Sequence, residues 1–394
     1  MKTWQIYVVL FAVALLGRVT VAHFLANDED QDGDLYTQIA SNVLEHHIYS
    51  RDTDPPFAPT LVRLPGYPLF IAGVYALFGH GNNDALFLAQ GVFDTLTCML
   101  IAMLAWLWSP REGQKRRSAL VAFVLAAACP FTTIYSAVLL TETITMFLSV
   151  AMVVAATLAF SAPSPKVATI WWVVTGLLAG AAQLFRPDAG LFAAAIGFTM
   201  VGYAFIRFRV EGDAMVHFKA VLRQGGIFSF AFLVVLLPWA IRNAYAFKVF
   251  QPLAPLYCNM PGEFVPRGYF AWFRTWADSE RYLKPLYWTL GPDKPMDFDD
   301  VPPQAFDTGS ERESVAALFE RFNHPQGASQ DSASAIGKQS DDEESHAAMT
   351  PDIDAGFAQI ARQRIAHAPL RYYVWLPIKR AIALWFVPHA QYYP

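Results

Sequence analysis

The chain opens with MKTWQIYVVLFAVALLGRVTVAHF, residues 1–24, in which a short basic end precedes an apolar run. A helix needs ~17 to 25 apolar residues to cross the hydrocarbon core of a bilayer, and this run reaches that length. It is long for the apolar region of a signal peptide, so an uncleaved first helix is favoured over a cleaved leader. Of the 394 residues, 55% are hydrophobic and 16% charged, where soluble domains have ~25% charged residues. The sequence therefore predicts an all-α polytopic membrane protein and gives no basic surface for a nucleic acid.

Further apolar runs continue the pattern along the first 241 residues. With the first run, about seven reach membrane-spanning length: 4–24, 85–108, 119–140, 143–160, 168–185, 189–206 and 225–241. PGYPLFIAGVYALFG, residues 65–79, is apolar too, but it makes only about three to four helical turns. We expect an interfacial or re-entrant helix there.

The basic residues predict which side each loop occupies. If residues 65–79 do not cross the membrane, three basic loops share one side with the N-terminus: 109–118, 161–167 and 206–224. An excess of Lys and Arg marks the cytoplasmic side. The external loop 26–84, with juxtamembrane helices, and the region 244–394 are then expected to be extracytoplasmic.

The region after residue 244 changes composition along its length. Residues 324–345, HPQGASQDSASAIGKQSDDEES, are small and polar, which predicts a mobile loop over about 307–350. Helical apolar spacing follows, which predicts juxtamembrane helices within 352–390. The last of these carries Lys379 and Arg380 at its middle, so it is expected to lie at the interface and not to span.

The acidic stretch NDEDQDGDLYTQI, residues 27–39, follows the first apolar run. Its alternating acids and its glycine fit the opening of an EF-hand loop, but Ile39 stands where the bidentate Glu is required. A calcium-binding or adhesion module built on this loop remains only a minor hypothesis. The three cysteines offer neither a disulfide framework nor metal-ligand spacing. No metal site is predicted, although the acidic residues leave a divalent cation possible.

Opposite charges from four separate segments are expected at the outer membrane face. Carboxylates come from residues 28–34 and Glu142, and guanidiniums from Arg63, Arg186 and Arg242. Each arginine taken alone could be an interfacial anchor at a helix end. As a group they complement an anion at headgroup depth, since Arg grips phosphate in a bidentate fork and a carboxylate can accept a proton from a hydroxyl.

Five segments in chain order resemble the family 39 glycosyltransferases: DQDGDLYTQIA, RLPGYPLFIAGVYALFG, TETITMF, LLAGAAQLFRPDAG and LPWAIRNAYAF. This family contains the bacterial relatives of protein O-mannosyltransferases and of the lipid A aminoarabinose transferase, GT-C-fold membrane enzymes that use polyprenyl-phosphate sugars. The resemblance covers most of residues 1–250 and continues more weakly beyond. It implies a GT-C-like helix bundle, with a catalytic domain over 1–243. It also implies sugar transfer to a hydroxyl of a lipid, glycan or protein, by inverting displacement at the outer face of a bacterial inner membrane.

The resemblance also implies roles for residues of the first external loop. The family's catalytic aspartate corresponds to Asp32, four residues before Tyr36, a substrate-binding candidate. The family often has Asp-Glu where this chain has Asp-Gly, so either Asp34 or Asp30 could supply the second carboxylate. Arg63 corresponds to a basic residue that resembles a lipid-phosphate contact.

Residues at later helix ends complete the predicted site. Arg186 and Arg242 match recurrent arginines, for which we infer a phosphate-binding role from charge and topology. Glu142 matches a recurrent glutamate and joins the catalytic set; it could orient an arginine or the sugar, or form a structural ion pair. Tyr67 and Asp188, in the same segments, are substrate-binding candidates.

Two further features leave alternatives open. Asp94 is the only acid deep within a predicted span, where it could be functional or could bond neighbouring polar residues in helix packing. Tyr269, Trp272 and Trp276 could form a sugar-stacking wall or an interfacial belt. The rival function is a transporter or flippase for a lipid-linked or polar substrate, although such proteins usually carry their ionisable groups near the midplane.

Overall fold

A computed structural model of the chain describes residues 3–25, 31–288, 290, 294–324 and 348–386. Within these ranges the structure consists of helices, turns and irregular segments, with no strand. The chain divides into two compact units, Met1–Pro261 and Gly262–Pro394. The predicted all-α class is confirmed.

The first unit is a bundle of long apolar helices with shorter ones between them. In chain order its helices are α1 Thr3–Leu25, α2 Gln31–His46, α3 Gly66–Phe78, α4 Asn83–Trp108, α5 Lys115–Ala127, α6 Pro130–Tyr135, α7 Glu142–Phe160, α8 Pro165–Phe185, α9 Gly190–Glu211 and α10 Ala214–Phe247. Within the described ranges, six are long and apolar enough to cross a bilayer: α1, α4, α7, α8, α9 and α10. Helix α3 matches the expected short helix, since its 13 residues rise only about 20 Å.

The predicted span 119–140 is wrong as a single helix. Helix α5 ends at Ala127, and Cys129 has extended backbone angles, φ −69° and ψ 115°. Pro130 then starts the short helix α6, which ends at Tyr135. Proline has no N–H and biases the preceding residue away from helix, so the apolar run breaks at this point.

The broken segment nevertheless returns the chain to the level at which α4 begins. The Gln90 side chain on α4 donates hydrogen bonds to the carbonyl oxygens of Ser136 and Val138, at 3.2 and 2.9 Å. The Tyr67 hydroxyl on α3 in turn donates to Gln90 Oε1 at 2.8 Å. We call this end of the first unit, where α4 and α7 begin and α8 and α10 end, the rim.

Local sequence determines where several spans begin and end. The Asn82 side chain caps α4 by accepting a hydrogen bond from the Ala85 N–H at 3.0 Å. Helix α8 begins with Ser164 as the cap and Pro165 at its first position. Helix α9 is terminated by Gly212, the residue after its last, whose φ of 81° lies in the left-handed region that favours glycine.

Two glycines allow α8 and α10 to pack closely. A Cβ atom at Gly176 would lie 2.4 Å from the Phe228 carbonyl oxygen, and one at Gly180 would lie 2.7 Å from the Phe232 carbonyl oxygen. Small residues at such a spacing bring helix backbones together in membrane proteins. Trp172, fully buried one turn away, fills the adjoining space.

The second unit consists of shorter helices. These are α11 Arg267–Arg274, α12 Gly309–Asn323, α13 Pro351–His367 and α14 Leu376–Phe386. The mobile loop predicted over 307–350 is wrong for its first part, which forms α12 with Thr308 as its cap; residues 325–347 lie outside the described ranges. Helices α13 and α14 confirm helical structure in the predicted segment 352–390, of which 387–390 are not described.

The aromatic residues of the second unit form its core. Tyr269 and Trp272 are 0% exposed and Trp276 is 2% exposed. Phe357 of α13 packs against both Tyr269 and Trp272, with ring centroids 5.0 and 5.1 Å apart. Both expectations for these residues, a sugar wall and an interfacial belt, are therefore wrong, since rings buried in this way reach neither a sugar nor lipid.

Candidate active site

An arginine between two carboxylates lies at the rim. Arg186 follows the last residue of α8, and its Nη1 donates to Glu142, the first residue of α7. Its Nε donates to Asp188 Oδ1 at 3.1 Å. Partial burial opposes the charge of Arg186, but the two carboxylates outweigh it and raise the pKa of the guanidinium. An acid at a helix start and a base at a helix end also complement the helix dipoles.

A cavity of about 400 Å³ adjoins this group. Glu142, Arg186 and Asp188 lie in its wall, together with Asp94 of α4. The rest of the wall is formed by hydroxyl and apolar side chains: Thr132, Tyr135, Thr143, Thr145, Ser149, Phe131, Met146 and Phe192. Its volume is in the range of ~300 to 1,000 Å³ found for small-molecule sites.

The first turn of α2 packs against the segment that precedes α7. A Cβ atom at Gly33 would lie 3.0 Å from the Cβ atom of Leu139. Leu139 is three residues before Glu142, so the backbone at the start of α2 is close to the start of α7. Sequence reasoning expected these two segments to meet, and the structure brings their backbones together.

The predicted acids of this loop are described to different extents. Asp32 belongs to the first turn of α2, but its side chain is outside the described part of the chain, as is all of Asp30. The side chain of Asp34 is exposed. Its role and that of Asp32 remain predictions.

Arg63 lies over the face of α2 that includes position 32. The Cζ atom of Arg63 is 5.8 Å from the ring centroid of Tyr36, and residues 32 and 36, one turn apart, share a helix face. Tyr36 contacts Tyr67 edge to face, with centroids 5.1 Å apart. Arg63 Nη1 also lies 3.4 Å from the Cys258 sulfur. Tyr67 is fully buried, so the structure places it beneath the site and Tyr36 nearer its surface.

Close packing between α3 and α8 brings two of the predicted arginines to one region. A Cβ atom at Gly66 would lie 2.5 Å from Phe185 Cδ2 and 2.7 Å from the Leu184 carbonyl oxygen. Arg63 is three residues before this contact and Arg186 one residue after it. Both arginines therefore lie on segments that meet at Gly66, where there is no room for a side chain.

Arg242 is engaged with the loop between α2 and α3. Its Nη1 donates to the Thr60 carbonyl oxygen at 2.7 Å and its Nη2 to the Tyr49 carbonyl oxygen at 3.3 Å. Its Cζ atom lies 5.4, 5.0 and 5.1 Å from the ring centroids of Tyr49, Trp239 and Phe247. The structure thus places Arg242 as a support for this loop, and its predicted phosphate contact stays a prediction.

Tyr49 connects that support to Arg63. Burial raises the pKa of the Tyr49 hydroxyl, which keeps it protonated as a donor. It donates to the carbonyl oxygens of Arg63 and Leu64 at 3.2 and 3.0 Å. Arg242 therefore acts on the position of Arg63 through a single side chain.

A buried ion pair inside the bundle was missed by sequence reasoning. Arg18 Nε lies 2.6 Å from Asp94 Oδ2, and both side chains are at most 3% exposed. Arg18 also donates to the Ala14 carbonyl oxygen at 3.1 Å, and its Nη2 lies 3.3 Å from the Cys98 sulfur. The signal was available: Arg18 is a lone charge within the first apolar run, and such a charge usually has a partner.

The described residues contain no cluster of three or more metal-ligand side chains. The acidic residues 28–30 lie outside them. The divalent cation left open by the sequence is therefore not tested by the structure.

Comparison with known proteins supports the resemblance. The family model of the dolichyl-phosphate-mannose-protein mannosyltransferases matches residues 58–239, somewhat less than half of the chain. Neither the curated proteins nor the solved structures gave a significant match. The matched region begins before Arg63 and ends at α10, so it includes Glu142, Arg186 and the whole cavity. Over residues 58–239 the chain is thus confirmed to resemble the GT-C membrane glycosyltransferases of mannosyltransferase type.

Proposed function

We propose that the protein transfers a sugar from a polyprenyl-phosphate-linked donor to a hydroxyl acceptor at the rim of the first unit. The observation that carries the proposal is the Arg186 guanidinium, held between Glu142 and Asp188 on a cavity wall. The start of α2, with the backbone of Asp32, lies beside the same segment. The family match supports the mannosyltransferase type of chemistry.

In this proposal Asp32 acts as the general base. Its carboxylate takes the proton from the acceptor hydroxyl, whose oxygen attacks the anomeric carbon of the donor. The bond between that carbon and the phosphate oxygen breaks, and the configuration at the carbon is inverted. The electron pair remains on the lipid phosphate, whose charge is stabilised by the guanidiniums of Arg63 and Arg186.

The remaining candidates divide between contact and support. Glu142 and Asp188 fix the orientation of the Arg186 guanidinium, so that its free edge is presented to the phosphate. Asp34 supplies a second carboxylate on α2. We assign Tyr67 to positioning, because its buried hydroxyl bonds to Gln90. Tyr36, between Tyr67 and Arg63, contacts the donor.

Arg242 keeps the loop that carries Arg63 in place and reaches the phosphate only if its carbonyl contacts open. The proposal sets the rim on the extracytoplasmic side of a bacterial inner membrane; the excess of Lys and Arg in the loops at the other end supports that orientation. No step in this proposal uses a metal ion.

The proposal is tested with the purified full chain and a panel of polyprenyl-phosphate sugars, by measuring release of lipid phosphate. Asp32→Asn should abolish transfer while donor binding is largely kept. Asp54→Asn, an exposed change in the same loop, is the matched control and should stay active. Full activity of Asp32→Asn would remove the base assignment, and no transfer from any donor by the unaltered protein would remove the proposed function.

One observation favours the rival, a transporter or flippase. The Arg18–Asp94 pair lies within membrane-spanning helices, where transporters keep ionisable groups. Proteoliposomes loaded with a fluorescent polyprenyl-phosphate sugar separate the two functions. Translocation of the intact lipid without release of lipid phosphate would support the rival.

A further inference from the structure

The cavity extends from the rim into the membrane part of the bundle. Glu142 and Ser149 both lie in its wall, and seven residues of helix α7 span about 10 Å. Asp94 lies in the wall as well; it is eleven residues after the start of α4, or roughly 16 Å along the helix. The carboxylates of Glu142 and Asp94 therefore mark an outer and an inner end.

The inner part is rich in hydroxyl groups. Thr145 and Ser149 come from α7 and Thr132 from α6, all in the wall. Ser149 is 3% exposed, and within the described part of the chain its hydroxyl makes no hydrogen bond to the protein. A cavity hydroxyl that bonds to no protein group can both donate to and accept from a ligand. The Ser149 hydroxyl and the Asp94 carboxylate therefore offer hydrogen bonds that a polar ligand can make and an isoprenoid tail cannot.

The charges at the two ends give the ligand a direction. The Arg186 guanidinium at the outer end can still donate to a phosphate through Nη2, which bonds to neither Glu142 nor Asp188, whereas the Arg18–Asp94 pair at the inner end has no net charge with which to attract one. Arg18 donates a hydrogen bond to the Oδ2 atom of Asp94, but an ionised carboxylate has about four acceptor positions. Asp94 can therefore still accept hydrogen bonds from hydroxyl groups.

The Arg18–Asp94 pair carries no net charge. An ammonium group needs an uncompensated carboxylate to leave water, because burying a cation is costly without a counter-charge. A neutral hydroxyl needs only an acceptor. The inner end thus fits a neutral polyhydroxylated ring better than a ring bearing an amine.

We infer that the part of the cavity lined by Asp94, Thr145 and Ser149 binds the sugar of the donor, with its phosphate at Arg186, and that it selects a neutral sugar over an aminosugar. This inference rests on the proposed function and goes beyond it by naming specificity-determining residues. Asp94 and Ser149 would contact sugar hydroxyls, and Arg18 would hold Asp94 in place.

The experiment measures binding of three probes to the full chain in nanodiscs: a polyprenyl phosphate bearing a neutral hexose, one bearing an aminosugar, and the polyprenyl phosphate alone. Ser149→Ala should weaken binding of the hexosyl lipid roughly threefold to tenfold, as for the loss of one hydrogen bond. Binding of the polyprenyl phosphate alone should be unchanged. The unaltered protein should prefer the hexosyl lipid to the aminosugar lipid.

Thr145→Val and Thr199→Val form a matched pair. Each hydroxyl donates to a carbonyl four residues earlier, at 2.7 and 2.8 Å, but only Thr145 lies in the cavity wall and Thr199 is exposed on α9. Only Thr145→Val should reduce affinity for the hexosyl lipid. Neither variant removes a member of the Arg18–Asp94 pair, and a thermal unfolding curve of each checks that it is folded.

Several outcomes would overturn the inference. The first is an equal loss of affinity for the lipids with and without the sugar. The second is no loss of affinity in Ser149→Ala and Thr145→Val. The third is tighter binding of the aminosugar lipid than of the hexosyl lipid by the unaltered protein. Each is distinct from failure of the proposed function, in which the unaltered protein transfers sugar from none of the donors.

Discussion

Gly66→Ala should separate the two sides of the candidate site without changing any charged residue. In the structure a Cβ atom at this position would lie 2.5 Å from Phe185 Cδ2 and 2.7 Å from the Leu184 carbonyl oxygen. Carbon contacts are optimal at ~3.5 to 4.0 Å, so α3 and the end of α8 must move apart by about 1 Å. A backbone carbonyl in the last turn of a helix cannot turn aside as a flexible side chain can.

The expected cost follows from this overlap. Inserting a methyl group into a closely packed contact costs about 1 to 3 kcal/mol. Gly73→Ala is the matched control: it lies on the same helix, is exposed, and a Cβ atom there would meet nothing within 4 Å. Glycine in a helix is worse than alanine by about 0.5 to 1 kcal/mol, so Gly73→Ala should stabilise. The two variants should differ by roughly 1.5 to 4 kcal/mol in the free energy of unfolding.

Thermal unfolding in detergent and release of lipid phosphate measure the two effects. Since Arg63 and Arg186 flank the contact, a displacement of about 1 Å should reduce transfer by up to ~100-fold. Gly73→Ala should keep full activity. If Gly66→Ala were as stable and as active as Gly73→Ala, the contact between α3 and α8 would not hold the site together.

Two further predictions concern the stability of the two units, one prediction for each. Gly176→Ala places a Cβ atom against a backbone carbonyl of α10 and should destabilise the first unit by about 1 to 3 kcal/mol. Gly197→Ala, with open space around it, is the control and should not destabilise the unit. Equal melting temperatures of the two variants would contradict this prediction. In the second unit, the hydrogen bonds of Arg371 lower the pKa of Asp307. Because the pKa of Asp307 is lowered in the folded state, its bonds with Arg371 stabilise the fold at pH values above the unfolded-state pKa of about 4. This stabilisation is lost as the pH falls through the folded-state pKa. Asp307→Asn should therefore destabilise at pH 7 by about 1 kcal/mol and reduce the acid dependence of unfolding, while the exposed Asp300→Asn should leave the denaturation curves unchanged at every pH.

The sequence by itself determined the helical class and most of the membrane spans, because hydropathy and helical periodicity are local properties. It also indicated the short helix α3. It misjudged residues 119–140, where a high apolar content outweighed the break at Pro130, and residues 309–323, where polar composition concealed a helix with a regular cap at Thr308.

Only the tertiary structure decided which charges meet. From sequence, Arg186 and Arg242 were equivalent arginines at helix ends, but one lies between two carboxylates at a cavity and the other bonds to loop carbonyls. Arg18 and Asp94 are 76 residues apart, and each taken alone was ambiguous. The partner of a charged side chain depends on the rotation and register of packed helices, which are set by contacts such as that of Gly66 with α8, and a linear pattern does not encode these.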